Sequence, residues 1–155
     1  MDIGSKCGYP ASSLSNFSPH PFVIDGVQCN SMEGFLQSLK FESVEMQAHV
    51  CTLVGKAAKF KGKNKKWWQK QVLYWKGVPI KRNSIEYQIL LNRAYNALYE
   101  NQTFRNALMA TGNATLTHSI GKNDMSHTVL TAYEFCSRLK HLRDVGKLPE
   151  EISKK

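Results

Sequence analysis

Residues 31–41 constrain the fold and function of this chain more than any other segment. As a helix, the segment carries an apolar stripe formed by Met32, Phe35, Leu36 and Leu39. Beside this stripe, three polar residues fall at i, i+4 and i+7 on one face: Glu33, Gln37 and Lys40. The pattern predicts a core-facing helix whose polar edge borders a cleft for a phosphorylated or sugar-bearing ligand. A solvated polar face would show the same spacing.

Length and composition indicate one folded domain over residues 1–155. A chain of 155 residues with 42% hydrophobic residues can bury its own core. The first residues lack the basic region and the apolar run of a signal peptide, and no apolar stretch reaches membrane-spanning length. We therefore expect a cytoplasmic protein. The four cysteines form no CxxC pair and the histidines show no ligand spacing with them. We therefore expect free thiols, no metal site and no cofactor.

Positive charge is concentrated in the middle of the chain. The formal net charge is +9, and residues 56–82 hold ten of the 21 Lys and Arg residues without any acidic residue. Aromatic side chains are interleaved with these cations, which is typical of nucleic-acid-binding surfaces. The candidate contacts are Lys61, Lys63, Lys65, Lys66 and Trp67. A solvated basic loop whose tryptophans pack into the core is the alternative.

One hairpin is predicted near the N-terminus. Phe22–Ile24 and Val27–Cys29 flank Asp25-Gly26, a strong type I′ turn signal. Helices are then predicted over residues 32–50 and 51–60, with residues 67–75 a possible third. Together with the helices below, this indicates a mainly α single domain with one small β-hairpin.

Capping signals place the remaining helices. One opens at Asn83-Ser84, and a shorter one is capped by Thr103 and stopped by Gly112. Residues 114–117 are a possible strand. The last helix starts near Thr131, where Thr131-x-x-Glu134 is a capping box, and ends at Gly146. We expect the charged tail over residues 146–155 to be frayed.

Two sequence blocks resemble the NADAR family, also called YbiA-like. They are SNFSPHPF over residues 15–22, followed by DGV, and S-x-E-x-x-x-Q-x-x-KF over residues 31–41. The resemblance continues through Trp75-Lys76-Gly77, Pro79, Arg82 and the segments 87–98 and 108–121, and so covers nearly the whole chain. It implies an orthogonal helical bundle and hydrolysis of N-glycosidic bonds.

Three departures from the family pattern indicate a divergent, phage-type branch. Gly34 stands where many members have histidine, and His118 stands where many have glutamate. The usual Trp-Gly-Asp-Gly stretch before the last helix is missing. A phage-encoded protein of this kind would act in the host cytoplasm.

The resemblance assigns roles within the first two blocks. Glu33 is the candidate catalytic carboxylate, stabilising an oxocarbenium-like sugar cation or acting as a general base; a helix-start glutamate without a catalytic role is the alternative. Gln37 and Lys40 are candidate contacts to phosphate or ribose hydroxyls, although Lys40 could equally be a surface side chain. Asn16 could bond a ribose or base edge and Phe17 could stack on a ring. Equally, the first could cap a turn and the second could lie in the core.

A second candidate set follows residues 114–117. Backbone N–H groups near Gly121 and Lys122 could approach a pyrophosphate. His118 could protonate the leaving base, because histidine titrates near neutrality, but a lone histidine is commonly structural. Glu134 is assigned to the capping box.

The resulting hypothesis is an N-glycosidase that removes ADP-ribose from guanine in DNA, reversing DNA ADP-ribosylation as a phage anti-defence factor or antitoxin. The expected partner is ADP-ribosylated nucleic acid, DNA before RNA, and no membrane. One alternative is an N-glycosidase of ribosylated riboflavin-pathway intermediates. Another is a binding module that recognises nucleic acid or ADP-ribose without cleaving it.

Overall fold

The computed structural model describes residues 1–151. It contains seven α-helices and two antiparallel hairpins in that range, so the mainly α class predicted from sequence is confirmed. In chain order the elements are α1 (Ala11–Leu14), β1 (Phe22–Ile24), β2 (Val27–Cys29), α2 (Met32–Ser38), α3 (Val44–Cys51), α4 (Gly55–Gly62), a 3₁₀ turn (Trp67–Gln69), β3 (Val72–Trp75), β4 (Val78–Lys81), α5 (Ile85–Tyr99), α6 (Gln102–Ala110) and α7 (Ala132–Val145).

The core is built around the long helix α5. Its buried face packs against β1, α6 and α7, and carries Tyr87, Leu90, Leu91, Ala94, Tyr95 and Leu98. Phe35 of α2 lies under the hairpins, with its ring 5.2 Å from that of Trp75 and 6.2 Å from that of Phe22. The apolar stripe of α2 is therefore core, as its spacing predicts.

The predicted hairpin is confirmed, and a second one replaces a predicted helix. Asp25 and Gly26 both have positive φ, 49° and 76°, as a type I′ turn requires. Lys76 and Gly77 repeat that geometry with φ of 52° and 83° between β3 and β4. The helix considered over residues 67–75 is wrong, because Leu73 and Trp75 alternate with more exposed neighbours at the period of a strand.

The single helix predicted over residues 32–50 is also wrong, because the chain turns between α2 and α3. Lys40 N–H donates to the Gln37 carbonyl at 3.2 Å, a short i to i+3 bond that closes α2. Ser43 then starts α3 by accepting a hydrogen bond from Met46 N–H at 3.2 Å. The helix predicted over residues 51–60 begins and ends slightly later, as α4.

The predicted caps are correct at α7 and fall on the second residue of the Asn83-Ser84 pair at α5, whereas the cap of α6 is displaced. Thr131 and Glu134 form the predicted capping box, and Gly146 ends α7 with φ of 89°. Helix α5 is capped by Ser84, whose Oγ accepts from Tyr87 N–H, and α6 is capped by Asn101 instead of Thr103.

The ends of the chain are anchored as far as the structure describes them. The predicted strand over residues 114–117 is reduced to one parallel bridge between Asp2 and Thr117. The segment after Gly146, predicted to be frayed, is held on α5: Leu148 is buried, and Asn96 bonds its backbone N–H and carbonyl. Residues 152–155 of that tail lie outside the described range. Within residues 1–151, no helix has the length and apolarity needed to cross a membrane.

Candidate active site

The start of α2 is fixed by two close contacts with neighbouring segments. Ser31 Oγ accepts from Gly34 N–H at 3.0 Å and donates to the Leu53 carbonyl at 2.9 Å. A Cβ on Gly34 would lie 2.5 Å from that same carbonyl oxygen, so no larger residue fits there without a shift. Gly34, where the family pattern has histidine, thus permits the close approach that positions Glu33.

Glu33 is held at the base of a cleft by its backbone and its side chain. Its N–H donates to the Asn16 carbonyl at 3.0 Å, and its Oε1 accepts from Gln37 Nε2 at 2.9 Å. Burial raises the pKa of the carboxyl, against the opposing effects of the Gln37 hydrogen bond and the charges of Lys40 and Lys59. No cation lies within ion-pair distance of Glu33 among the described residues. The carboxylate is therefore a stronger base than an ordinary glutamate.

Gln37 and Lys40 line the cleft beside Glu33 and contact α4. A Cβ on Gly62 would lie 2.0 Å from Gln37 Oε1 and 3.2 Å from Lys40 Cδ, so the glycine makes room for both side chains. Gln37 Oε1 is buried and has no hydrogen-bond partner within residues 1–151. Burial lowers the pKa of Lys40, whose Nζ donates to the Gly62 carbonyl at 3.4 Å, while Glu33 opposes that shift. Gln37 Oε1 is therefore enclosed against α4, and Gln37 acts on Glu33 through Nε2, whereas Lys40 brings an ammonium with one hydrogen bond to the protein.

Asn16 approaches Glu33 from the N-terminal arm. Tyr95 Oη donates to Asn16 Oδ1 at 2.9 Å, which fixes the orientation of the amide. The remaining Nδ2 group makes no hydrogen bond among the described residues and is available to a ligand acceptor. Tyr95 is fully buried, and burial holds its pKa far above the ordinary value, so it remains a donor.

The opposite wall of the cleft is the loop that precedes α7. His118 Nδ1 lies 2.7 Å from the Ile3 carbonyl, and the ring meets Phe135 edge-on at 5.1 Å. Because a carbonyl only accepts, Nδ1 carries the hydrogen of this bond, and Nε2 makes no hydrogen bond among the described residues. Gly121 packs below this ring, where a Cβ would lie 2.4 Å from His118 Cδ2.

A buried ion pair holds this loop in place. Arg82 is fully buried and makes two hydrogen bonds to the Glu134 carboxylate, at 2.6 and 3.0 Å. Its Nε donates to the Thr128 carbonyl at 3.0 Å, and Tyr87 Oη donates to the Val129 carbonyl. Burial opposes the charge of Glu134, but the hydrogen bonds from Arg82 and Gln88 outweigh it and lower the pKa. Glu134 therefore has two structural roles: it forms the predicted capping box of α7, and through Arg82 it stabilises the loop that forms the cleft wall.

These elements enclose a cleft of about 370 Å³. Its charged and polar lining comprises Asn16, Glu33, Gln37, Lys40, Lys59, Lys63, His118, Lys122, His127 and Thr128. Glu33 is the one carboxylate in this lining, opposed by four lysines. Such a cleft suits an anionic ligand that carries a site of developing positive charge near Glu33. A larger groove of about 1070 Å³ between the second hairpin and α5 has three glutamates and two cations in its lining, and so lacks the excess positive charge of the cleft.

The structure brings together most residues predicted to bind substrate. Asn16, Glu33, Gln37, Lys40, His118, Gly121 and Lys122 all line the cleft. Phe17 does not; it is half-buried, with its ring 3.8 Å from where a Cβ on Gly55 would lie. Phe17 therefore belongs neither to the cleft lining nor to the buried core.

The basic segment divides into two parts. Lys63 lines the cleft, whereas Lys61, Lys65 and Lys66 are exposed outside it. The assignment of Trp67 to a nucleic-acid surface is wrong, because its ring lies in the core and is only 8% exposed. A ring buried to this extent cannot stack on a base.

Sequence reasoning missed Lys59 and His127 as lining residues. Lys59 and Lys63 are four residues apart and adjoin Ala58 and Gly62, the buried small face of α4. That pair of small residues is the signal for close packing on α2, from which the position of both lysines follows. No comparable signal marks His127, which lies in an irregular loop.

No metal-ligand cluster is present among residues 1–151: nowhere do three His, Cys, Asp or Glu side chains converge. All four cysteines are free thiols, and Cys29 and Cys51 are buried.

Comparison with known proteins gives three findings. The model of a family described as bacteriophage protein GP30.3 matches residues 8–144. An uncharacterized 17.1 kDa protein from the Gp30–rIII intergenic region of Enterobacteria phage T4 is 40% identical over 147 residues, which cover 93% of this chain and 97% of that protein. The NMR structure of the E. coli protein YbiA matches with a TM-score of 0.63 and 20% identity, over 93% of this chain and 82% of that one. At that identity the match establishes the fold.

Proposed function

Because the chain belongs to the family of bacteriophage protein GP30.3 and has the fold of E. coli YbiA, we propose that it is an N-glycosidase that removes ADP-ribose from guanine bases in DNA. The activity and substrate class follow from the resemblance of residues 15–22 and 31–41 to the NADAR family. We further propose a role against host defence, in which the protein reverses DNA ADP-ribosylation or serves as an antitoxin; the 40% identical relative is itself a phage protein.

The observation that carries the proposal is the charge distribution of the cleft. Glu33 is its single carboxylate, while Lys40, Lys59, Lys63 and Lys122 supply positive charge around it. Lysines suit the pyrophosphate of ADP-ribose, and a carboxylate suits the oxocarbenium-like cation that forms as the N-glycosidic bond breaks. A cleft for a neutral metabolite would have no need of four cations.

The chemistry assigns complementary tasks to Glu33 and His118. Water attacks the anomeric carbon, the bond from that carbon to guanine breaks, and Glu33 accepts the proton of the attacking water. The raised pKa of Glu33 favours this role as a base. His118, protonated at Nε2, donates its proton to the departing guanine, while its Nδ1–H bond to Ile3 keeps the ring oriented. Asn16 Nδ2 offers a donor for a ribose hydroxyl, and Gln37 orients the Glu33 carboxylate through Nε2.

Preference for a polymer rests on the cations outside the cleft. Lys61, Lys65 and Lys66 are exposed beside the cleft residue Lys63, and no acidic residue lies in that stretch of sequence. Such a surface attracts a phosphate backbone and adds salt-dependent affinity for nucleic acid. The preferred substrate is thus modified DNA.

The size of the cleft favours one rival. At about 370 Å³ it lies near the lower end of ligand pockets, which span roughly 300–1,000 Å³. An N-glycosidase of ribosylated riboflavin-pathway intermediates would fit that volume.

A direct comparison of substrates separates these functions. Purified protein is offered an oligonucleotide ADP-ribosylated on guanine and, separately, a ribosylated pyrimidine intermediate, and the released sugar is measured. We expect free ADP-ribose from the oligonucleotide. Release of sugar only from the small molecule would favour the metabolic rival, whereas tight binding without release from either would indicate a binding module.

A further inference from the structure

An exposed aromatic pocket adjoins the cleft at His127, which lines both. Trp68 is 41% exposed, and its ring centroid lies 5.8 Å from that of His127 at an interplanar angle of 31°. The pocket measures about 710 Å³ and is completed by Gln69, Gln71, Asn83, Met125 and Ser126. Its lining combines an aromatic surface with three side-chain amides and contains no carboxylate.

Local hydrogen bonds fix both sides of this pocket. Gln71 Nε2 donates to the Trp68 carbonyl at 2.8 Å and to the Ser126 carbonyl at 2.7 Å, joining the 3₁₀ turn to the loop before α7. The Asp124 carboxylate accepts from Ser126 N–H and Oγ and lies 3.2 Å from His127 Nδ1. Asp124 thus binds residues of its own turn and is not part of the pocket lining. The ring of Trp68 remains partly exposed.

We propose, as an extension of the proposed function, that the Trp68–His127 pocket is a subsite that binds a nucleobase outside the catalytic cleft. A base would stack on the indole of Trp68, and the side chains of Gln69 and Asn83 make no hydrogen bond among the described residues, so they are free to bond its edge. The phosphates attached to that base would reach the lysines of the adjoining cleft, because His127 belongs to both sites.

Two sources of the nucleobase share this chemistry. One is the adenine of the ADP-ribose itself, whose pyrophosphate would lie among Lys59, Lys63 and Lys122. The other is the base next to the modified guanine in the DNA strand. The two sources can be distinguished by whether free ADP-ribose or an unmodified oligonucleotide binds in the pocket.

Tryptophan fluorescence of the full chain gives a binding signal that does not depend on turnover. Trp67 and Trp75 are buried, so a ligand that stacks on an exposed indole reports on Trp68. The probes are ADP-ribose, ribose 5-phosphate and an unmodified single-stranded oligonucleotide. The matched variants are Trp68→Phe, which retains an aromatic face, and Trp68→Leu, which retains apolar bulk alone. Circular dichroism checks that each is folded.

We expect ADP-ribose or the oligonucleotide to quench wild-type fluorescence, while ribose 5-phosphate does not. Trp68→Phe should bind that same probe within about threefold of wild type, measured by calorimetry, and Trp68→Leu about tenfold more weakly, the scale of one lost base–aromatic stack. Quenching by ADP-ribose alone assigns the subsite to adenine, and quenching by the oligonucleotide alone assigns it to a neighbouring base.

Absence of quenching by every probe, or equal affinities for the Phe and Leu variants, would overturn the subsite. Neither result depends on glycosidase activity. Turnover of modified DNA with no contribution from Trp68 would refute the subsite and leave the proposed function standing. Quenching without any turnover would support the subsite and refute the proposed glycosidase.

Discussion

Glu33, which is half-buried in the cleft, and Glu134, which is buried, both lie in the first turns of their helices, yet their surroundings shift their pKa values in opposite directions. Glu134 receives two hydrogen bonds from Arg82 and one from Gln88, which together lower its pKa despite burial. Glu33 receives one hydrogen bond, from Gln37, and burial raises its pKa. The Glu134 carboxylate is fully paired by the protein. The Glu33 carboxylate lies in a cleft and can still accept hydrogen bonds from a ligand.

The comparison shows how one residue type serves stability in one place and chemistry in another. Paired charges within the core hold a loop, and removing one partner leaves the other buried without compensation. A carboxylate that the fold leaves incompletely paired costs stability but can respond to a ligand, which is a common signature of functional sites. Glu134 is thus assigned to structure and Glu33 to catalysis.

The largest expected effect is on stability, from breaking the structural pair. Glu134→Gln leaves the fully buried Arg82 without its counter-charge, so the free energy of unfolding should fall by about 3–5 kcal/mol. Urea denaturation followed by circular dichroism measures the change.

The matched control for that change is the double variant Arg82→Met with Glu134→Gln, which removes both charges and keeps a side chain that can accept the Thr131 N–H of the capping box. It should be less destabilised than Glu134→Gln, because no charge is left buried alone. A double variant that is less stable than the single one would contradict the assignment of the loss to an uncompensated charge.

A smaller effect separates the lysines of the cleft from those outside it. Replacing Lys61, Lys65 and Lys66 with Gln should raise KM for modified DNA and leave cleavage of free ADP-ribosylated guanosine nearly unchanged. The slope of log KM against log salt should flatten by about 0.7 for each lost contact with a single strand. Replacing Lys59 and Lys63 should instead raise KM for both substrates, because both residues line the cleft. If both sets of lysine variants change KM for the two substrates to the same extent, the division between cleft lysines and outer lysines is refuted.

The smallest expected effect concerns pH. Activity requires ionised Glu33, whose pKa is raised above its ordinary value of 4.5, so kcat/KM should already fall with decreasing pH above 4.5. The stabilisation from Glu134, whose pKa is lowered, is present above 4.5 and is lost only as the pH falls further. Acid should therefore inactivate the protein reversibly before this stabilisation disappears. Lys40→Met should move the acid limb upward, because the Lys40 charge lowers the pKa of Glu33.

Local patterns predicted much of the fold and one wall of the cleft. The Asp25-Gly26 turn, the capping box at Thr131 and the shared face of residues 31–41 each depend on residues close in sequence, where turn and cap chemistry is decisive. The resemblance to the NADAR family added Asn16, whereas the loop near His118 was proposed from the chemistry of its own residues.

Features set by distant contacts escaped prediction. Which of Trp67 and Trp68 is buried cannot be read from two adjacent residues in a short 3₁₀ turn, since no periodicity extends through it. The position of the loop before α7 depends on a hydrogen bond from Arg82 to the Thr128 carbonyl and on one from His118 to the Ile3 carbonyl. In both cases the partner lies more than forty residues away in sequence. Lys59 joins the cleft only because Gly62 packs against Gln37.

The most direct test of the central claim compares Glu33→Gln with wild type on an oligonucleotide ADP-ribosylated at guanine, with single-turnover release of ADP-ribose and thermal unfolding measured on the same preparations. The substitution keeps the size of the side chain and removes its charge. We predict a loss of turnover of at least about a hundredfold, with a Tm equal to or above that of wild type, because burial disfavours the ionised carboxylate. Near-normal turnover would place the catalytic carboxylate elsewhere, and a lowered Tm would make Glu33 a structural residue like Glu134.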